Sequence, residues 1–282
     1  MIEYKLKLAG CECSIVEWNP QAKTIVFVFH GWLDNLASFE TIAQYSPNLR
    51  LIAVDFPGHG HSDHIEAGLA YHFIDGVYLV DDLIEHFQLD QVNLMGHSMG
   101  GAVAMIYAAV QPQRVKRLLL LESIGPLTSS VNSVQSSLDK SICKRRLLKK
   151  KQKRIYSNFE DALNTRAEAS EISPQYIKPL VERALMVVEG GFIWRADPRL
   201  RIPSGFRMSE EQLHRLLPNI KASTLLIEAD KGLIQFISKE ALEQRKKLIN
   251  NIECHKLSGS HHLHLESPQK VAQLVVDFIK KM

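Results

Sequence analysis

Ser98 stands at the centre of Gly96-His97-Ser98-Met99-Gly100, with a further glycine, Gly101, behind it. The apolar run VNLM precedes this segment and MGGAVAMIYAAV follows it, so the serine falls where a buried strand turns into a helix. A turn that sharp needs residues without side chains, and it pushes the serine hydroxyl into a strained, accessible position. The chemistry on offer is nucleophilic attack. A hydroxyl attacks poorly until a base takes its proton, and the base needs a third group to fix its tautomer. A phosphate cradle is the rival use of such a turn, but the glycines and lysine of a P-loop are missing.

Twelve histidines are present, and His261, His262 and His264 crowd the segment GSHHLHLESP. Among the carboxylates, Glu122 is singled out by geometry. From Ser98 the chain runs out through a helix of about 14 residues, ~21 Å at 1.5 Å each, and returns through a strand of about six, ~20 Å at 3.3 Å each. The two lengths cancel, which predicts Glu122 at the sheet edge that carries Ser98, one strand away, in the crevice where open α/β sheets place their sites.

The elements that must hold these residues follow from hydrophobic period. Ile2, Tyr4, Leu6 and Leu8 alternate with polar positions and a second extended run follows at 12–18, which predicts a hairpin-like pair of edge strands. Near-continuous apolar runs at 24–29, 49–54, 92–95, 118–121 and 224–227 read as strands buried on both faces of a parallel sheet, with a weaker strand at 252–257. Between them the period becomes helical, as in Val80, Leu83, Ile84, Phe87 and in Val271, Leu274, Val275, Phe278. Alternating strand and helix imply right-handed crossovers and an open, mostly parallel α/β sheet flanked by helices. The rhythm breaks between residues 125 and 218. Helical pieces are predicted there at 138–156, 159–169 and 174–188, giving one α/β domain over 1–124 and 219–282 with a helical insertion between.

With these residues in place, the chain resembles the α/β-hydrolase superfamily. His30-Gly31-Trp32 is similar to its H-G-x segment, Asp55-Phe56-Pro57-Gly58-His59-Gly60-His61-Ser62 to its D-x-P-G-x-G-x-S turn, and GHSMGG to its nucleophile elbow. HGWLDN and GFIWRADPRLR look most like the serine hydrolase-like branch, and the insertion is similar to the helical cap of many members. The resemblance implies Ser98 as nucleophile and, counting back from Glu266, His261 rather than His262 as base, with His264 structural. It implies an oxyanion site formed by the backbone N–H groups of Trp32 and Met99, with the Trp32 indole available as a pocket wall. The family's usual acid follows the seventh strand, where this chain reads Leu225-Leu226-Ile227-Glu228-Ala229-Asp230-Lys231-Gly232. Glycine occupies the expected place, so Glu122 is the first candidate for the acid and Asp230 the alternative. His30 and His97 are expected to pack or hydrogen-bond.

The expected activity is therefore serine hydrolysis of an ester or related acyl bond, without metal or organic cofactor. Carbon–carbon bond hydrolysis by the same residues and a non-enzymatic binding protein of the same fold are the alternatives. A serine at the elbow argues against dehalogenase and epoxide hydrolase chemistry, which use a carboxylate there.

Composition bounds the rest. With 282 residues, 45% hydrophobic and 23% charged, the chain reads as globular rather than disordered. Residues 144–154 (KRRLLKKKQKR) carry eight bases and no acid, while the remainder has 26 basic against 31 acidic residues, so the excess is a local patch and no nucleic-acid partner is expected. That patch is expected to be a solvated cap helix with Leu147 and Leu148 turned inward, and Trp194 is expected to anchor the cap. No apolar stretch reaches the ~20 residues that span a bilayer. The opening MIEYKLKLAG lacks a signal-peptide core, and the four cysteines (11, 13, 143, 254) are too scattered for a disulfide scaffold, which together predict a cytoplasmic protein. The partner expected is a small acyl substrate, with oligomeric state open.

Overall fold

The computed structural model describes residues 1–148, 153–232, 234 and 237–281. The chain opens with β1 (Ile2–Leu8), β2 (Cys11–Trp18) and β3 (Thr24–Phe29), followed by α1 (Glu40–Tyr45) and β4 (Leu49–Val54). Then come α2 (Asp75–His86), β5 (Val92–His97), α3 (Met99–Val110) and β6 (Val115–Leu121). The intervening region holds α4 (Val134–Leu148), α5 (Phe159–Ala169), α6 (Pro174–Ala184), β7 (Leu185–Val188), β8 (Gly191–Trp194) and α7 (Glu210–Leu216). The chain closes with β9 (Ser223–Lys231), α8 (Lys239–Lys247), β10 (Ile252–Ser260), α9 (Leu263–Glu266) and α10 (Pro268–Lys280).

Eight strands form one sheet in the order β1-β2-β4-β3-β5-β6-β9-β10. β1 pairs antiparallel with β2 and β2 antiparallel with β4, while the other neighbours run parallel. β1 is an edge strand as expected, but β2 is not, because it also pairs with β4. Successive side chains of a strand point to opposite faces, and the runs with no polar position have a helical layer to meet on each side. Phe27, Phe29, Leu94, Leu118 and Leu120 pack with Leu83 of α2 and Ile106 of α3. On the other face Val26, Val28, Met95, Leu119 and Leu121 pack with Ile42 of α1 and with Val271, Val275 and Phe278 of α10. α3 buries ten of its twelve residues, which explains why it is apolar all round.

The region between β6 and β9 departs from the predicted run of helices in three ways. α4 is Val134–Leu148 rather than 138–156, and residues 149–152 of the basic run lie outside the described residues. α4 buries none of its side chains, and Leu147, expected to face inward, is 65% exposed. Finally, α6 stops at Ala184 and the chain continues as a β7–β8 hairpin. The β-branched and aromatic residues of LMVV and GFIW favour extended backbone, and Gly190 and Gly191 supply φ of 85° and 140° at the turn. Tyr156, Ala162, Ile177, Leu180, Val181 and Leu185 form a separate apolar cluster here, joined by Leu265 of α9. Trp194, expected to anchor this region, packs against that cluster, its ring 5.9 Å from that of Tyr156. Polar groups add to the Leu265 contact in attaching this region: Arg166 on Asp34, Arg183 on Asp55, and Asn35 Nδ2 donating to the Leu180 carbonyl at 2.8 Å. Among the described residues no helix is long and apolar enough to cross a membrane.

Candidate active site

Ser98 follows β5 directly with φ 51° and ψ −115°, a backbone conformation that a side-chain-bearing residue adopts only under constraint. Close approach imposes it. A Cβ on Gly96 would lie 2.3 Å from the Gly101 nitrogen, and one on Gly100 would lie 2.1 Å from the Phe29 carbonyl oxygen. Ser98 is half-buried, and its backbone is held by Ser98 N–H donating to Leu121 O at 3.0 Å and by Ser123 Oγ donating to Ser98 O at 2.7 Å.

His97 pairs with Leu121 across β5 and β6, so the next residues, Ser98 and Glu122, leave the sheet side by side. Glu122 also has a positive φ, 49°. Its buried carboxylate accepts from Ala229 N at 2.7 Å and Ile234 N at 3.4 Å. Oε2 lies 3.1 Å from His261 Nδ1, which donates to it. A Cβ on Gly232 would fall 2.0 Å from Glu122 Oε2. The Glu122 carboxylate therefore fills the space beside the glycine at the position of the family's usual acid. Asp230 is exposed and accepts from Gly259 N at 2.9 Å.

His261 begins the turn between β10 and α9. Burial pushes its imidazole below the ordinary range, opposed by the hydrogen bond to Glu122. Its carbonyl accepts from His97 Nε2 at 2.9 Å. Among the described residues Ser98 and His261 make no hydrogen bond with each other. His262, next along the chain, turns the other way, with Nε2 3.2 Å from Asp34 Oδ2. His264 is fully buried and its neutral form is strongly favoured there.

His30 arranges the loop after β3. Phe56 N–H donates to its Nε2 at 3.0 Å, so Nδ1 carries the proton and donates to the Gly31 carbonyl at 2.8 Å. Burial lowers this imidazole to about 4. The Gly31–Trp32 peptide is trans, so fixing its carbonyl turns the Trp32 N–H to the opposite side. The Trp32 and Met99 N–H groups have no acceptor among the described residues. The Trp32 indole is half exposed and donates to Leu200 O at 3.0 Å.

Asp34 carries weight that its position in HGWLDN did not reveal. Its carboxylate meets Arg166, His262 and His97, which overcome the burial that alone would raise it and hold it well below the ordinary carboxylate range. Donor atoms of Asp34, His97 and His262 lie within 4.8 Å of one another, a spacing that an ion could share. Arg166 already supplies a positive charge to that carboxylate at 2.5 Å and His262 Nε2 hydrogen-bonds it at 3.2 Å, while His97 Nδ1 makes no hydrogen bond among the described residues, so the carboxylate's partners are side chains of the protein itself. Arg166 stands in α5 with no motif around it.

Residues 24–268 match the family described as alpha/beta hydrolase fold. The chain is 28% identical to a serine hydrolase-like protein of Danio rerio, over 99% of this chain and 88% of that one. It is 30% identical to a serine hydrolase-like protein of Dictyostelium discoideum, over 96% and 79%. The crystal structure of a hypothetical protein from Pseudomonas aeruginosa PAO1 superposes with a TM-score of 0.90 at 30% identity, covering 99% of this chain and 98% of that one. A mostly parallel eight-stranded sheet, a strained serine ending its fifth strand and these matches agree: the chain is a member of the α/β-hydrolase family, in its serine hydrolase-like branch.

Proposed function

We propose that the protein is a serine hydrolase that cleaves a carboxylic ester or related acyl bond through an acyl-enzyme on Ser98. The observation that carries this reading is the His261 Nδ1 to Glu122 Oε2 hydrogen bond at the sheet edge where Ser98 emerges. With Nδ1 committed to the carboxylate, Nε2 is the nitrogen free to act on the serine. His261 takes the Ser98 proton as Oγ attacks the acyl carbon, then returns it to the leaving alcohol. Water enters next and gives a proton to the same nitrogen as its oxygen bonds to the acyl carbon; the Ser98 Oγ–acyl bond breaks, Nε2 returns the proton to Oγ, and the acid is freed. The developing oxyanion accepts from Trp32 N–H and Met99 N–H, donors worth ~2.7–4 kcal/mol each where measured. The serine and base come into hydrogen-bonding contact when substrate is bound, as catalytic hydrogen bonds commonly tighten at that step.

Residues 125–218 act as the cap over this edge, and Trp32, bonded to Leu200 of that region, forms part of the acyl pocket wall.

A fluorophosphonate probe should form an adduct that maps to the Ser98 peptide by mass. Hydrolysis of p-nitrophenyl butyrate should vanish in Ser98→Ala. Full turnover in that variant would remove the mechanism.

A further inference from the structure

Two buried carboxylates receive an arginine from the region between β6 and β9, and they differ in what else they touch. Asp55 accepts from Arg183 at 2.8 Å and from the backbone N–H groups of Leu36 and His61, each at 2.8 Å. Those partners make it a structural tie. Asp34 accepts from Arg166 and from His262 Nε2 at 3.2 Å, and the His97 ring packs beside it with Nδ1 3.5 Å away and no hydrogen bond between them. Both rings flank the base, with centroids 4.7 Å (His97) and 5.4 Å (His262) from that of His261. A carbonyl oxygen only accepts, so His97 Nε2 donates to His261 O, and that bond fixes the ring with its other nitrogen toward Asp34. A Cβ on Gly31 would lie 2.9 Å from both Asp34 Oδ2 and His97 Nδ1, so the carboxylate also packs against the peptide leading into Trp32.

We propose that Asp34 is a positioning residue for the base, connecting Arg166 of α5 by hydrogen bond to the His262 ring and by packing to the His97 ring, the two rings that flank His261. The placement of the insertion is thereby transmitted to the reacting edge. This inference rests on the hydrolase reading above. Asp34 acts through its neighbours and touches no reacting atom.

The test is steady-state kinetics on p-nitrophenyl butyrate across pH, with near-ultraviolet circular dichroism to establish folding. Titratable groups facing His261 are Glu122 from the end of β6, His97 from β5, Asp34 from the loop after β3, and His262 and His264 from its own turn. A misplacement of about 1 Å can cost on the order of a hundredfold, so Asp34→Asn and Arg166→Gln should lower kcat by up to that order with KM changed less. The acid limbs of kcat/KM should move in opposite directions. Asp34→Asn removes a negative charge that favours the imidazolium, shifting the limb to lower pH, while Arg166→Gln leaves that charge uncompensated and shifts it up. Arg166→Lys should restore both. Arg183→Gln, which loosens the insertion at Asp55, should leave the limb in place.

Same-direction or absent shifts in folded variants overturn the proposal, as does a shift in Arg183→Gln that matches Arg166→Gln. If Asp34→Asn fails to fold, the Arg166→Gln and Arg166→Lys pair decides by the same criteria. A wild-type protein with neither turnover nor labelling at Ser98 would overturn the hydrolase reading and this inference together, whereas an active wild type with unresponsive variants overturns only the inference.

Discussion

Ser98 and Glu122 follow neighbouring strands with similar positive φ, 51° and 49°, and each such residue costs on the order of 1–3 kcal/mol. At both positions the strain turns a side chain off the end of the sheet. Glu122→Gln keeps the shape while removing the charge and presenting His261 Nδ1 with the wrong partner. The corresponding change in a serine protease lowered kcat by ~10⁴, and a fall of that order is the expected result here. The pH profile gives a second check. The proposed mechanism needs neutral His261, whose burial places its titration below the ordinary imidazole range, so kcat/KM should hold through neutrality and fall only below about pH 6.5. Without the Glu122 charge the imidazolium loses support and that acid limb should move lower still. The juxtaposition of Ser98 and Glu122 was legible because helix and strand lengths are fixed by geometry: α3 and β6 together return the chain to its starting edge. Asp34 was illegible for the complementary reason, since its partners come from positions 97, 166 and 262, which no local pattern connects.

Among the elements, the region between β6 and β9 divides into a part with buried ties and a part, α4, with no buried side chain. α5 and α6 share an apolar cluster with Leu265 of α9 and are bonded to Asp34 and Asp55 through Arg166 and Arg183. Breaking a buried pair of this kind typically costs about 3–5 kcal/mol. α4 has no buried residue, and Lys140, Lys144, Arg145 and Arg146 along it are exposed or nearly so. Its charges should therefore behave as a solvated face. Lys144→Ala combined with Arg146→Ala should change unfolding free energy by less than about 0.5 kcal/mol. Added salt should alter kcat/KM for an anionic and a neutral ester in parallel. A fall confined to the anionic ester would instead assign these bases to substrate steering. The inner strands were readable to within a few residues because both faces are buried and their composition is uniform, and β1 because its apolar and polar residues alternate. The β7–β8 hairpin was not, because LMVVEGGFIW is too short to separate strand from helix by period.

Over the whole molecule, the buried histidines set the acid side of stability. Burial lowers His30 to about 4 and His59 to about 3, so the folded state keeps both neutral while the unfolded chain takes up protons below about 6.5. Stability from these groups is present above that pH and is lost as pH falls toward the folded values, by about 1.4 kcal/mol per pH unit for each histidine. Urea midpoints should decline from pH 6.5 downward, well before Glu210, held at about 2 by Arg245, begins to contribute. A flat response between pH 6.5 and 4.5 would contradict the neutral assignment.

The contact between Gly232 and Glu122 carries a consequence for how the fold can be rewritten. The acid beside His261 is an address in space, and the chain has two routes of delivery to it, one from β6 and one from the loop after β9. Only one can be used at a time, because a Cβ at 232 would lie 2.0 Å from Glu122 Oε2. Gly232→Asp alone should crowd the occupant and lower both stability and kcat. Glu122→Gly combined with Gly232→Asp should recover much of what Glu122→Gly alone loses, since glycine suits the positive φ at 122 and the vacated space accepts the new carboxylate. Such an exchange would move a catalytic acid 110 positions along the sequence while leaving it, as the histidine meets it, in place.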